Sequence, residues 1–368
     1  NYMKIVCTQE NLNKGLSLVS NIANKSSNLP ILNNVLLKAD KEGLTLITTD
    51  LELGIKVSVR GKIEEEGEFT VDAKLLHSFV SFLPRENIEI ILKDDNLEIK
   101  SSNQETTIKG LASEDFPLIP DMDKTNVVEL PVQEFKKSLS QTLLAASLDT
   151  SRIEINAVNF SFQDNNLILA ATDSYRLAEK KLNLTNTQKT DLIIPLKTLQ
   201  ELSRILNEQT EKKLKIYFNE NQILFEFDGV ELTSRVIDGK YPDYNQIIPA
   251  EFKTEAKCDI NKLVPAVKSV ALFCKSGIND IRLSLDSKNQ KIIIATASSN
   301  TGTSVAKVDA KISGEDNDIV FNYRYLLDGL AQLGTTQVNI KINNNSSPGL
   351  VQPLGDDKYI YLVMPIRQ

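Results

Sequence analysis

Apolar residues recur at helical spacing in six stretches of the chain and at alternating spacing in many more. Over 131–147, Phe135, Leu139 and Leu143 fall at i, i+4 and i+8, which gives one apolar stripe on an otherwise polar helix. Stretches 8–23 and 259–274 carry the same spacing, the latter through Ile260, Leu263, Val264 and Val267, with Pro265 expected to bend it. Three more helices are expected over 72–82, 195–206 and 322–333. Asp72 and Asn322 suit caps, and Pro131 and Pro195 suit a first turn, where a missing N–H needs no partner.

Between the helices the pattern switches to strands. Hairpins are expected around the polar turns 40–43, 163–166 and 286–290, each following a run of branched and aromatic residues. Alternating segments 88–92, 97–100 and 106–109 close the first third, 214–218, 222–227 and 232–236 the second, and 338–342 and 359–364 the last. Helices interspersed with runs of antiparallel strands indicate an α+β fold rather than a doubly wound parallel sheet.

The elements repeat. LTLITTD at 44–50 returns as LILAATD at 167–173 and, more faintly, as IIIATA at 292–297. The step is 123 residues (173 − 50) and then 124 (297 − 173), far beyond the roughly 20 to 50 residues of solenoid units, so each copy is a domain. Proline-bearing joints at 115–120 and 241–249 are stiff connectors, and boundaries are placed near 124 and 252, giving domains 1–124, 125–252 and 253–368.

Composition narrows the class. A chain of 368 residues, 41% hydrophobic and 25% charged, is ordinary globular protein. No apolar stretch approaches the roughly 18 residues that span a bilayer, and the first residues lack the apolar core of a secretory signal. Cys7, Cys258 and Cys274 form no CxxC pair, which argues against a disulfide framework or a zinc site and for the cytoplasm; Cys258 and Cys274 read as small core residues. The net charge of −7 argues, on its face, against nucleic acid.

Catalytic chemistry finds little support. His77, the one histidine, falls on a helix whose counterparts hold ordinary residues, so it reads as structural. Neither GxGxxG nor GxxxxGK[ST] occurs, and no cofactor is expected. The acidic runs 64–66 and 94–95 read as solvated turns. The Thr-Asp pairs at 49–50 and 172–173 read as strand-end turns held by their own side chains. What does not repeat is the loop Ser174, Tyr175, Arg176, Leu177, found in the middle copy alone; an arginine and an aromatic suit either a protein-recognition pocket or an interdomain seam.

Six motifs in order, LPILNNVLL at 29–37, TDLE at 49–52, DFP at 115–117, ATDSYRLA at 171–178, DGKYPDY at 238–244 and YLVMPIR at 361–367, make the whole chain resemble the bacterial DNA polymerase III β subunit, the replicative sliding clamp. The resemblance implies three DNA-clamp domains per chain and a head-to-tail homodimer closing a ring around double-stranded DNA. It makes the chain a processivity factor without catalysis of its own. A ring held by topology needs only weak, mobile phosphate contacts, which reconciles the negative charge with DNA. The helices would line it, with Lys14, Lys136, Lys137, Lys197, Arg204, Lys262, Lys268 and Arg324 as candidate contacts, and Lys25 in the loop before Leu29 as the best single one.

The same resemblance implies a pocket for short linear motifs of the polymerase catalytic subunit, the clamp loader, other polymerases and repair proteins. It would use Ile155, Thr172, Ser174, Tyr175, Arg176, Leu177, Pro242, Ile247, Val363, Met364, Pro365, Ile366 and Arg367. Tyr175 stands where the family often has histidine, and Ile153 and Glu154 replace an aromatic pair that touches DNA in a relative. At the ring seam, Leu272 and Phe273 would meet the partner's Thr106 and Ile108. Two other classes remain open at this point: a repeat-built peptide-binding adaptor that does not encircle DNA, and a hydrolase using clustered carboxylates.

Overall fold

The computed structural model describes residues 2–23, 29–125, 127–163, 165–185, 188–207, 212–275, 277–298 and 302–367. Six α-helices lie among them: α1 (Gln9–Val19), α2 (Ala73–Phe82), α3 (Val132–Leu143), α4 (Leu196–Asn207), α5 (Ile260–Ala271) and α6 (Tyr323–Ala331). No helix of the described residues is long and apolar enough to cross a membrane.

Side chains outside each helix set where it begins. Thr8 Oγ1 accepts from Asn11 N at 3.2 Å, Asp72 Oδ1 from Leu75 N at 2.7 Å, Asp259 Oδ1 from Asn261 N at 2.8 Å and Asn322 Oδ1 from Arg324 N at 3.0 Å, each satisfying one N–H that the helix itself leaves unpaired. Pro131 and Pro195 correct the expectation for α3 and α4. They end the strands Val128–Pro131 and Thr190–Pro195, one step before the helix, because strand pairing runs right up to them. Val132 N and Leu196 N then donate to Lys212 O and Asn156 O, so a neighbouring segment does the work of a cap. Pro265 lies inside α5, which nevertheless continues to Ala271.

The contacts gather into two compact units, residues 1–132 with 204–236 and residues 133–203 with 237–368. Each unit holds one antiparallel sheet, of thirteen strands in the first and twelve in the second among the described residues. The sheets join successive copies of the repeat. In the first unit, Val230–Arg235 pairs with Leu53–Val59, Val230 opposite Val57 and Ser234 opposite Leu53. In the second, Tyr359–Val363 pairs with Arg176–Asn183, Tyr359 opposite Lys180 and Val363 opposite Arg176.

Helix stripes and inward strand positions meet in the cores. Phe135 and Leu139 are wholly buried, and Phe135 meets Phe160 edge to face at 6.2 Å between ring centres, the arrangement an aromatic quadrupole favours. Burial pushes the Cys7 and Cys258 thiols up to about 12, which makes them inert core residues. Cys274 is only partly buried, and its Sγ lies 3.1 Å from Asp280 O. His77 is half-buried on α2, its Nδ1 3.3 Å from Ser20 Oγ.

Candidate functional site

The Thr-Asp pair builds the same turn in two copies. Thr172 Oγ1 donates to Arg176 O at 2.7 Å and accepts from Ser174 N at 3.1 Å; Asp173 Oδ1 accepts from Tyr175 N at 2.9 Å and Arg176 N at 3.0 Å. In the first copy Thr49 Oγ1 bonds Leu53 O and Leu51 N, while Asp50 Oδ1 accepts from Glu52 N and Leu53 N. Both turns hold a non-glycine residue in the left-handed region, Ser174 at φ 78° and Leu51 at φ 80°. That conformation costs about 1–2 kcal/mol, which the surrounding hydrogen bonds offset.

The Arg176 side chain is engaged rather than open. Its Nε donates to Asp173 Oδ2 at 2.9 Å and an Nη to Asp328 Oδ2 at 2.7 Å, and the guanidinium stacks 4.6 Å from the Tyr325 ring centre. Only 14% of the side chain is exposed. Desolvated charge needs partners, and the turn supplies Asp173 while α6 supplies Asp328 and Tyr325. Tyr175, 62% exposed, stacks on the same Tyr325 at 6.4 Å and 23°. Arg152 donates to Ser174 Oγ at 3.0 Å.

The residues expected to form the pocket differ in burial. Ile155, Leu177 and Val363 are almost completely buried. Ile155 packs with Ala157, Ile193 and Tyr241, and Leu177 with Leu350, Leu362 and Tyr244. Tyr241 also fastens the turn, its hydroxyl accepting from Thr172 N at 3.1 Å. Ser174 and Tyr175 are exposed, as are Pro242 and Ile247 on the connector, whereas Met364, Pro365 and Ile366 are half-buried and Arg367 exposed. Met364 N donates to Tyr175 O and Ile366 N to Val320 O, both at 2.8 Å, which lays the terminal segment beside the turn. Sequence reasoning missed Tyr325 and Asp328. Their spacing of i, i+3 on a helix put them on one face, but nothing in the sequence aimed that face at Arg176.

The helix cations differ in exposure. Lys137, Lys197, Lys262, Lys268 and Arg324 are exposed and Lys136 is half-buried. Lys14 lies 3.5 Å from Asp228. Arg204 is half-buried, and its guanidinium donates to Ser17 O and Leu18 O, so it satisfies carbonyls at the end of α1. Lys25 lies outside the described residues.

At the expected seam, Leu272 is 79% exposed, Phe273 and Thr106 are half-buried, and Ile108 is 6% exposed. Ile108 is already covered within a single chain. It faces the interior of its own unit because positions 106 and 108 share the inner face of the strand Glu105–Leu111. The apolar surface expected of it is offered by Phe82 and Leu75 on α2, 84% and 55% exposed.

Comparison with known proteins covers the full chain. Family models described as the DNA polymerase III beta subunit N-terminal, central and C-terminal domains match residues 3–120, 129–243 and 245–367 in series. A beta sliding clamp of Synechococcus elongatus is 36% identical over 99% of each chain, and one of Staphylococcus aureus 28% over 92% of each. The crystal structure of the Bacillus subtilis sliding clamp covers 100% of both chains with a TM-score of 0.95 at 27% identity. A Pseudomonas aeruginosa sliding clamp bound to griselimycin does so with 0.94 at 27%.

Proposed function

The chain belongs to the DNA polymerase III beta subunit family, and on that premise we propose that two copies close head to tail into a ring around duplex DNA. It is a sliding clamp, three clamp domains long, that serves replication as a processivity factor. We read it as an accessory subunit of the cytoplasm, acting through DNA, a second copy of itself and the peptides of polymerase, loader and repair partners. The copies are taken to meet near 124 and 252.

The observation that carries the ring is a pair of sheet edges left over by the repeat. Each hairpin sets Thr49 opposite Gly54, Thr172 opposite Leu177 and Thr296 opposite Ser304. The last strands correspond likewise, through Thr106 opposite Ile99, Leu232 opposite Phe225 and Tyr361 opposite Val351. The first copy's hairpin strand takes the second copy's last strand, and the second copy's takes the third's. By the same register, Thr303, Val305 and Lys307 would face the partner's Ile108, Thr106 and Gln104. Among the described residues, neither segment pairs with a further strand on that side.

Helices repeat the relation. Arg204 of α4 bonds the end of α1, and Gln141 of α3 donates to Gln332 O beyond α6, so α2 is the one left to meet the partner's α5. Counted from the residue before each helix, Phe82 stands where α4 has the fully buried Ile205. Exposed Phe82, Leu272 and Val305 are then covered together. A heterologous contact of this kind that closes after two copies yields a finite ring, whereas one that does not close yields a filament.

Inside the ring, exposed Lys137, Lys197, Lys262, Lys268 and Arg324 would give diffuse phosphate contacts, and the turn at Thr172–Leu177 with the terminal segment would receive partner peptides. An adaptor without a ring is not favoured, since its full-length relatives bear the name of sliding clamp. Native mass in solution tests the reading. Two chains are expected at micromolar concentration, and a single chain under those conditions would contradict it.

A further inference from the structure

The first copy carries a groove on the same plan as the one at Thr172–Leu177, and the reading above leaves it unused. Its turn has the same hydrogen bonds and the same left-handed residue, Leu51 for Ser174, and the strand Val230–Arg235 lies along it as Tyr359–Val363 lies along the other. Pro117 follows the buried Phe116 as Pro242 follows the buried Tyr241. The space between turn, connector and strand measures about 270 Å³.

Its chemistry is different. Gly54 stands at the position of Leu177, and the connector's Ile119 fills the room so gained: a Cβ on Gly54 would come within 2.5 Å of Ile119 Cδ1. Leu53, 3% exposed, replaces Arg176, so no cation rises from the turn itself. The lining holds one cation and one carboxylate. The exposed Arg235 is on the opposite wall, just past Ser234 in the position that Met364 holds past Val363. The exposed Glu52 is on the turn, and its carbonyl accepts from Arg235 N at 2.9 Å, so the acidic end has to lie on the Arg235 side away from Glu52. Leu51 and Leu118 are 46% and 92% exposed at the mouth, apolar surface that gains from being covered.

We propose that this is a second docking groove, for a linear peptide with two adjacent leucine-like side chains and an acidic C-terminal end. The apolar pair covers Leu51 and Leu118, and the carboxylates meet Arg235, an arrangement favoured by charge complementarity and by the repeat itself. The proposal rests on the reading of the Thr172–Leu177 turn as a peptide site.

The test titrates the intact chain with acetyl-Ser-Leu-Leu-Asp carrying a free carboxyl terminus, and separately with a glutamine-led peptide ending in apolar residues. The acid-ended peptide should saturate, keep its affinity in Arg176→Ala, and weaken roughly tenfold in Arg235→Glu and in Leu118→Ser. Both variants alter exposed side chains, so the fold is retained. No saturation by about 1 mM, equal affinity in Arg235→Glu, or loss in Arg176→Ala would overturn the second groove. The glutamine-led peptide reports on the other site independently: its loss in Arg176→Ala with the acid-ended peptide silent fells only this inference, whereas its failure to bind fells the reading beneath it.

Discussion

Replacing Leu272 with Asp is expected to leave a folded chain that runs as a single copy where the parent runs as two. Leu272 is 79% exposed at the end of α5, so the substitution disturbs no core of its own unit. In the ring it would be covered by the partner's α2, and covering a leucine contributes about 1.5–3 kcal/mol. Asp in its place forfeits that and adds the cost of desolvating an unpaired charge. A ring of two copies contains the seam twice, so a loss of only about 2 kcal/mol per seam raises the dissociation constant on the order of a thousandfold. Phe82→Asp should act alike from the other side of the seam, and Leu148→Asp, at an exposed leucine elsewhere, should leave the pair intact. Sedimentation equilibrium of the three variants decides the matter; a Leu272→Asp chain that still pairs as the parent does would remove α5 from the seam.

Arg176→Ala, or removal of residues 364–368, is expected to weaken glutamine-led partner peptides by at least about tenfold while the chain still pairs. The arginine joins Asp173 on the turn to Asp328 and Tyr325 on α6, and the terminal segment is tied to the same turn through Met364 N and Tyr175 O. Truncating Arg176 therefore loosens that turn and leaves Asp173, 15% exposed, without its closest cation. The cost to stability falls mainly on Asp173, whose Oδ1 keeps the N–H groups of Tyr175 and Arg176 while Oδ2 loses the guanidinium; Asp328, half exposed, is rehydrated at little cost. Calorimetric titration separates the outcomes: unchanged affinity in both variants refutes the peptide assignment, and lost affinity with lost pairing would mean the two sites are one.

The contrast between what could be read from the sequence and what could not has a physical basis. All six helices were legible because an amphipathic stripe and a capping side chain are local properties, as at Asp72 and Asn322. The strands Leu53–Val59 and Arg176–Asn183, which join one copy to the next, were not. The first does alternate, with Leu53, Ile55, Val57 and Val59 buried and Lys56 and Ser58 on the other face, but it is a short segment without a turn signal of its own. The second carries Lys180 in the buried phase of Ala178 and Leu182, 7% exposed and ion-paired with Asp356 at 3.0 Å, so its alternation is broken by a lysine that a distant acid makes tolerable. The turn at 172–177 stood out because its sequence departs from its counterpart in the first copy. Its engagement by Tyr325 and Asp328 was hidden because those partners lie 149 (325 − 176) and 152 residues away in sequence.

A closed ring of two copies is expected to encircle DNA and to be held there by topology alone. The most direct measurement loads the chain onto circular duplex DNA with a clamp loader, then cuts the circle once and follows the bound fraction. Retention on the closed circle and rapid loss after the cut is the predicted result; equal retention on linear DNA with free ends would contradict it.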